Sequence, residues 1–266
     1  MAADQLDADL ERRFGGLRRL HGDAAYQRLR AARFAVVGLG GVGSWAVEAL
    51  ARCGAAELLL IDLDQVSESN INRQIHALGA KVGQAKVDAM AERIADIHPA
   101  CVVHRVEDFV TPENWPGFCP AGASAVIDAC DQVKTKTALA AWARRSSVPF
   151  ISVGAAGGKR HAHLVDIDDL SQTTHDPLLA QLRYRLRREQ GAPKDGKRMG
   201  VCCVFSREAV APPDPSCQLS GDGSLNCHGY GSVVSVTATF GQCAAGWVLD
   251  QLAAPSSKKP KKHDII

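Results

Sequence analysis

Apolar residues along the chain gather in short runs that stop at glycine or aspartate, and between the runs they recur at helical spacing. The runs are residues 34–38, 57–62, 101–106, 124–128 and 150–153. Each has the length and continuity of a strand buried on both faces. Residues 23–32 and 44–53 have helical character, and Gly54 is placed to end the second of these helices. Over 83–97 the apolar positions Val87, Met90, Ile94 and Ile97 fall at helical spacing, and Pro99 blocks continuation. Residues 111–120 read as a loop and 133–145 as a further helix. The rhythm predicts an α/β fold: a doubly wound, mostly parallel Rossmann-like sheet with an irregular C-terminal extension. In that extension 201–206 reads as a strand, 211–231 as a loop rich in Gly, Pro and Ser, and 233–252 as a helix. A basic tail over 255–266 has the composition of disordered chain. No internal repeat is present.

Composition narrows the setting. The chain has 266 residues, 46% hydrophobic and 23% charged, ordinary for a globular protein with one substantial core. A net charge of +2 neither demands nor excludes a nucleic-acid partner, so any basic surface must be local. Nine cysteines, odd in number and irregularly spaced, fit a reduced cytoplasmic setting. None forms a C-x-x-C pair, which argues against a zinc ribbon. The opening MAADQLDADLERRF is acidic and polar, unlike a signal peptide. Residues 223–249 carry no formal charge, and that length can span a bilayer. Asn226, His228, Gln242 and several Ser and Thr would be costly in hydrocarbon, so a buried helix is expected instead.

The first apolar run opens into Gly38-x-Gly40-Gly41-x-Gly43. A first glycine permits a tight turn, a second lets backbone approach phosphate, and a third lets the following helix pack closely on the strand. The helix N-terminus then attracts an anion. Such a fingerprint is weak alone. Here it lies between a strand and a helix, and Asp62 closes the next strand, where it can bond a ribose. The residues downstream bear on which nucleotide. Asp62-x-Asp64 leads into Asn70, Arg73 and Lys86. Arg73 can neutralise and orient phosphate oxygens with a planar fork, and Lys86 can add a point charge. Asp131 follows the strand AVIDAC, at the carboxyl edge where such sheets bind ligands, and one carboxylate with phosphate oxygens and water is a usual magnesium arrangement. A nicotinamide dinucleotide would use the glycines and Asp62 and leave Arg73 and Lys86 idle. The set therefore favours ATP with magnesium over NAD.

GLGGVGSW, IDLDQVSESNINRQ, VGQAK and VIDACDQV together resemble the adenylating domain of the ThiF-like superfamily, which includes ubiquitin-activating enzymes and the activators of bacterial sulfur-carrier proteins. The resemblance implies a single ATP-binding domain over 1–254, with its core at 30–165 and a substrate-side elaboration at 166–254. It implies that Gly40 and Gly43 approach the phosphates, that Asp62 holds the ribose, that Asn70, Arg73 and Lys86 contact the triphosphate, and that Asp131 positions magnesium. The wider pattern, from RRFGGLRRLHG through VEDFVTPEN, GAAGGK and THDPLLAQLR to VCCVFSREA and TATFG, is similar to the tRNA-modifying dehydratases of that superfamily. These close the threonylcarbamoyl group on the adenosine next to the anticodon into a ring, through an adenylated carboxylate. A homodimer is implied, and so is a cysteine desulfurase or sulfur acceptor as a partner. The alternative is an adenylyltransferase for a small sulfur-carrier protein; the missing zinc pairs argue against it. An arginine that reaches the partner's ATP site in those activators falls at Gly16 here, with Arg13, Arg18 and Arg19 as substitutes.

A tRNA substrate requires local cations. Residues 183–198 hold seven basic residues against two acidic ones. With Leu178, Leu182 and Leu186 buried as a helical stripe, Arg183 and Arg187 would share a neighbouring face and meet phosphate. A solvated helix accounts equally for that pattern. Lys159 and Arg160 are a second candidate, and the lysines at 258–262 a third. Cys227, beside His228, is either a thiolate nucleophile or sulfur acceptor, or a small apolar residue filling a gap. Cys202 and Cys203 are expected in the core.

Overall fold

The computed structural model describes residues 10–119, 121–214, 216 and 230–254. Cys227 and the basic tail lie outside the described residues. Seven strands form one sheet in the order β3-β2-β1-β4-β5-β7-β6. These are β1 (Arg33–Val37), β2 (Glu57–Ile61), β3 (Val102–Val106), β4 (Ala125–Asp128), β5 (Phe150–Val153), β6 (Val165–Asp169) and β7 (Cys202–Ser206). Only β6 runs antiparallel, against β7. The chain moves outward from β1 to β2 and β3, then returns to lay β4 on the other side of β1. The order reverses between β1 and β4, and a crevice opens at the carboxyl ends of strands that diverge in this way.

Helices cover both faces. They are α1 (Gly16–His21), α2 (Asp23–Arg30), α3 (Gly43–Arg52), α4 (Lys86–Ile97), the single turn α5 (Trp115–Phe118), α6 (Val133–Ala143), α7 (Pro177–Glu189) and α8 (Val234–Ala253). On one face α3, α4 and α8 bury Leu50, Met90, Ile94, Phe240 and Val248 against Phe34, Leu58 and Leu60. On the other, α6 and α7 bury Leu139, Leu179, Leu182 and Leu186 against Val126, Phe150 and Phe205. Each fully buried Leu or Phe contributes roughly 1.5–3 kcal/mol.

Helix α8 resolves the uncharged run. Val236, Thr237, Phe240, Gly241, Ala244, Ala245 and Val248 are buried along one stripe. A side chain at Gly241 would stand 2.4 Å from the Val42 carbonyl oxygen, so glycine here lets α8 lie directly on the start of α3. Arg28 caps the far end, donating from Nε to the Leu252 carbonyl and from Nη2 to the Ala253 carbonyl, both at 2.8 Å. Among the described residues no helix is long and apolar enough to cross a membrane.

Three features differ from expectation, the first being that the loop expected over 111–120 contains the single turn α5. The helix predicted over 83–97 begins at Lys86. Gly83 has φ of +88° and Gln65 bridges Ala85, so these residues form a turn that brings the helix start back to β2. The second half also supplies β6, which the apolar pattern did not predict. Its sequence VDIDD carries three aspartates, and each has a partner distant in sequence: Asp166 has Arg207, Asp168 has Arg198, and Asp169 has the Met199 and Gly200 amides. A charged edge strand resists pairing with other chains.

Two buried histidines make stability sensitive to acid. His76 is 2% exposed and neither ring nitrogen has a partner. Burial, with the charges of Lys86 and Arg93, holds its pKa down to about 4. His98 is 1% exposed and is also held to about 4, by burial and then by Arg30 and Arg13. Between pH 6.5 and 4 the unfolded chain binds these protons and the native chain does not, so stability falls as pH drops through that window. A shift of this size corresponds to about 3 kcal/mol per histidine at its lower limit. Urea midpoints measured from pH 7 to 4 are expected to fall, and less steeply for His76→Phe. Parallel curves for the two proteins would contradict this assignment.

Candidate nucleotide site

The two turns that flank the crevice touch each other. Gly38, with φ of +88°, ends β1, and a side chain there would lie 2.9 Å from the Ala129 carbonyl and the Cys130 Cα. Only glycine meets both demands. Beneath it, the Gly43 Cα faces the Gly38 carbonyl so closely that an added Cβ would be 1.8 Å from that oxygen. Gly43 thus sets the distance between turn and helix. It does not line the cavity, whereas Gly38, Gly40 and Gly41 do.

Asp62 braces the same turn. Its Oδ2 accepts from the Leu39 amide at 2.6 Å and its Oδ1 from the Asp64 amide at 2.9 Å. Burial raises its pKa, opposed by Lys86 and by those amides. Lys86, the first residue of α4, sends Nζ to Asp64 Oδ2 at 2.6 Å and stands 3.8 Å from Asp62 Oδ1. Asn70 ends a short turn, Glu68–Asn70, and its Oδ1 accepts from the Ser67 amide at 3.1 Å, so part of its role is to shape the loop. Arg73 is buried. Its Nη1 donates to the Ser69 carbonyl at 2.6 Å and to Asn72 Oδ1 at 2.9 Å, and its Nε has no partner. An unpaired buried N–H is costly.

All of these groups face one cavity of about 660 Å³. That volume suits a nucleotide-sized ligand. The carboxyl end of β3 contributes Asp108, Phe109 and Val110 at one side, and Gly154–Gly157 with Thr237 of α8 stand at another. Asp131 also lines it, exposed, with no ion pair from its own chain among the described residues. Among the described residues no three His, Cys, Asp or Glu side chains converge as a metal cage. A lone free carboxylate fits magnesium that arrives with a nucleotide and takes its other ligands from phosphate and water.

The ThiF family pattern matches residues 12–263. The chain belongs to the ThiF family. It is 45% identical over 256 residues to the tRNA threonylcarbamoyladenosine dehydratase of Escherichia coli, covering 93% of this chain and 96% of the relative. The protein of that name from Haemophilus influenzae is 42% identical over 249 residues, covering 93% and 95%. A crystal structure of the E. coli dehydratase in complex with ATP superposes with a TM-score of 0.82 at 44% identity, covering 91% of this chain and 94% of that one.

Within this ThiF-family fold three of the candidate tRNA-contacting cations, Lys159, Arg183 and Arg187, have partners in the chain, Arg160 is exposed, and the lysines at 258–262 lie outside the described residues. Lys159 is 2% exposed, and its Nζ donates to the His175 carbonyl at 3.0 Å and the Glu208 carbonyl at 2.7 Å. It ties the loop after β5 to two distant segments and is not a surface cation; burial lowers its pKa. Arg183 turns inward too, with Nη1 at 3.0 Å from the Leu170 carbonyl and from both oxygens of Thr173. Arg187 reaches the Pro193 carbonyl through Nε at 3.2 Å. Leu178, Leu182 and Leu186 are buried as expected. The exposed face of α7 includes Tyr184 with Arg188 stacked on its ring, beside Gln181 and Glu189.

At the N-terminus, Arg13 donates to the Asp96 and Ile97 carbonyls at the end of α4, and Arg18 pairs with Glu11 and Asp23. Arg19 remains exposed. Cys202 and Cys203 lie in β7; burial pushes the Cys202 thiol up to about 12 and the Cys203 thiol well above its ordinary value. The sequence pattern did not single out Asp128, Cys130 and Lys136, which bond one another just before and after Asp131, or Gln74, which lines the cavity with Arg73.

Proposed function

We propose that this chain uses ATP to dehydrate the threonylcarbamoyl group on the adenosine next to the anticodon of tRNA, closing it into a ring. The observation that carries this reading is the meeting of the glycine turn, Asp62, Arg73, Lys86 and Asp131 at one cavity. Identity along nearly the whole of the E. coli dehydratase supports it.

Each group has a role in the reading. Gly40 and Gly41 leave room for phosphate. Asp62, which lines the cavity, takes the ribose. Arg73 and Lys86 hold the triphosphate, and Lys86 exchanges Asp64 for a phosphate oxygen as it does so. Asp131 holds magnesium, which offsets charge on the phosphates. The threonyl carboxylate attacks the α-phosphorus and pyrophosphate leaves, giving an acyl adenylate. The carbamoyl group of the same side chain then attacks the acyl carbon and AMP leaves. One water is lost from the substrate, and its oxygen departs on AMP. Fixed donors aimed at the developing charge supply several kcal/mol. Because ring closure is intramolecular, about 7–11 kcal/mol of the barrier can be met by proximity.

The protein works as a homodimer in the cytoplasm, and a cysteine desulfurase or sulfur acceptor is a partner rather than a reactant. The test is incubation with ATP, magnesium and tRNA bearing threonylcarbamoyladenosine. AMP and pyrophosphate should form in step with a nucleoside lighter by one water. Formation of ADP, or of AMP without any need for the modified tRNA, would reject the reading.

A further inference from the structure

Beneath the cavity lies a fully buried ion pair that the nucleotide-binding groups do not touch. Asp128 is the last residue of β4, in register with Val37 of β1 and Ser152 of β5. Lys136, one turn into α6, reaches back to it. The Lys136 Nζ lies 3.0 Å from Asp128 Oδ2, 3.3 Å from the Asp128 carbonyl and 3.2 Å from Ser152 Oγ. Neither side chain of the pair has any solvent exposure.

The Asp128 carboxylate is saturated. Oδ2 accepts from Lys136 and from Ser152 Oγ at 2.7 Å. Oδ1 accepts from the Cys130 amide at 3.3 Å and the Cys130 Sγ–H at 3.0 Å. These donors come from α6, from β5 and from the turn that follows β4. That turn is pinned again at its other end, where the Lys136 amide donates to the Gln132 carbonyl and Thr135 Oγ1 bonds the Val110 carbonyl at 2.9 Å. From the opposite side it is packed by Gly38. Asp131 sits in the middle of this clamp with its own carboxylate uncommitted.

A buried ion pair gains little stability over an apolar pair of the same volume. Its benefit is direction: four hydrogen bonds converge on one carboxylate and fix the turn that leaves it. We infer that Lys136 and Asp128 are positioning residues, a buried clamp that holds the 129–132 turn so that Asp131 faces the nucleotide cavity free of partners. The inference rests on the proposed ATP and magnesium reading of that cavity.

The experiment is calorimetric titration with ATP, once with magnesium and once with EDTA, read beside thermal unfolding. The variant Asp128→Asn/Lys136→Met removes both charges and leaves no unpaired ion. It is expected to unfold cooperatively, to bind ATP in EDTA within about twofold of the unaltered protein, and to lose about tenfold or more of the affinity gained from magnesium, the usual effect of disturbing a group behind a metal ligand. In an Asp131→Asn background the same pair of changes should have no further effect on the magnesium gain, because both act on one group. Ser152→Ala with Cys130→Ala, which removes two donors without touching charge, should give a smaller loss of the same kind and serves if the first variant does not fold. A folded variant with the full magnesium gain would overturn the inference, and so would losses that add to those of Asp131→Asn. If Asp131→Asn alone keeps the full gain, the magnesium assignment itself fails and takes the clamp's purpose with it. If Asp131→Asn loses the gain while the clamp variants keep it, only the clamp falls.

Discussion

Arg73→Ala is expected to lower tRNA-dependent AMP formation by about 10²- to 10³-fold, the range seen when one fixed donor to a developing charge is removed. The guanidinium is held by the Ser69 carbonyl and Asn72, and its Cγ lies 3.1 Å from where a side chain on Gly41 would begin. It is therefore aimed before any ligand arrives. Its Nε is buried and unpaired, so the fold carries an unmet donor at this residue. Arg73→Lys should recover little, because a single ammonium cannot reproduce the fork. Loss of the Ser69 contact should cost only about 1 kcal/mol of stability. The measurement is single-turnover AMP release, with a melting curve to show that the variant is folded. A rate within a few-fold of the unaltered protein would remove Arg73 from the reaction.

The second large effect separates two neighbouring glycines. At Gly43 an added Cβ would fall 1.8 Å from the Gly38 oxygen and 3.2 Å from the Ala129 side chain. Backbone cannot yield as a long side chain can. Gly43→Ala should cost at least about 3 kcal/mol, the upper part of the usual range for overpacking. That is a large share of a total stability of about 5–15 kcal/mol. At Gly40 an added Cβ meets nothing within 4 Å, because it points into the cavity. Gly40→Ala should therefore fold normally and weaken ATP binding. Denaturant midpoints and ATP titration on the two variants decide the matter. Equal stability would refute the packing role of Gly43, and unchanged affinity at Gly40 would refute its place beside phosphate.

The parts of this molecule that could be read from the sequence are those whose physics is local. The glycine turn, the strand before it and the helix after it each follow from a few adjacent residues, and all three formed where the pattern placed them. Asp62, Arg73, Lys86 and Asp131 are scattered in sequence, yet a parallel sheet brings the ends of its strands to one edge, so their convergence followed from topology. The misreadings have the opposite origin. Lys159 looked like a solvent cation because nothing nearby in sequence shows that the carbonyls of His175 and Glu208 come together around it. Arg183 shares a helix with surface arginines, and only the turn at Leu170 and Thr173 draws it inward. The strand VDIDD was hidden because its aspartates are neutralised by Arg198, Arg207 and two amides from elsewhere in the chain. Asp128 and Lys136 were passed over for a related reason. Nothing adjacent in sequence marks them as partners, and the charge pair shows itself only when β4, β5 and α6 are assembled.

The placing of α8 has a consequence for truncation. The last described helix, lying on the start of α3 through Gly241, lends Thr237 to the wall of a chamber whose floor was laid by the first strand. A chain cut before α8 would have the glycine turn and all seven strands yet lack that closing wall. A protein clipped before α8 would be left with an exposed apolar face where the helix belongs.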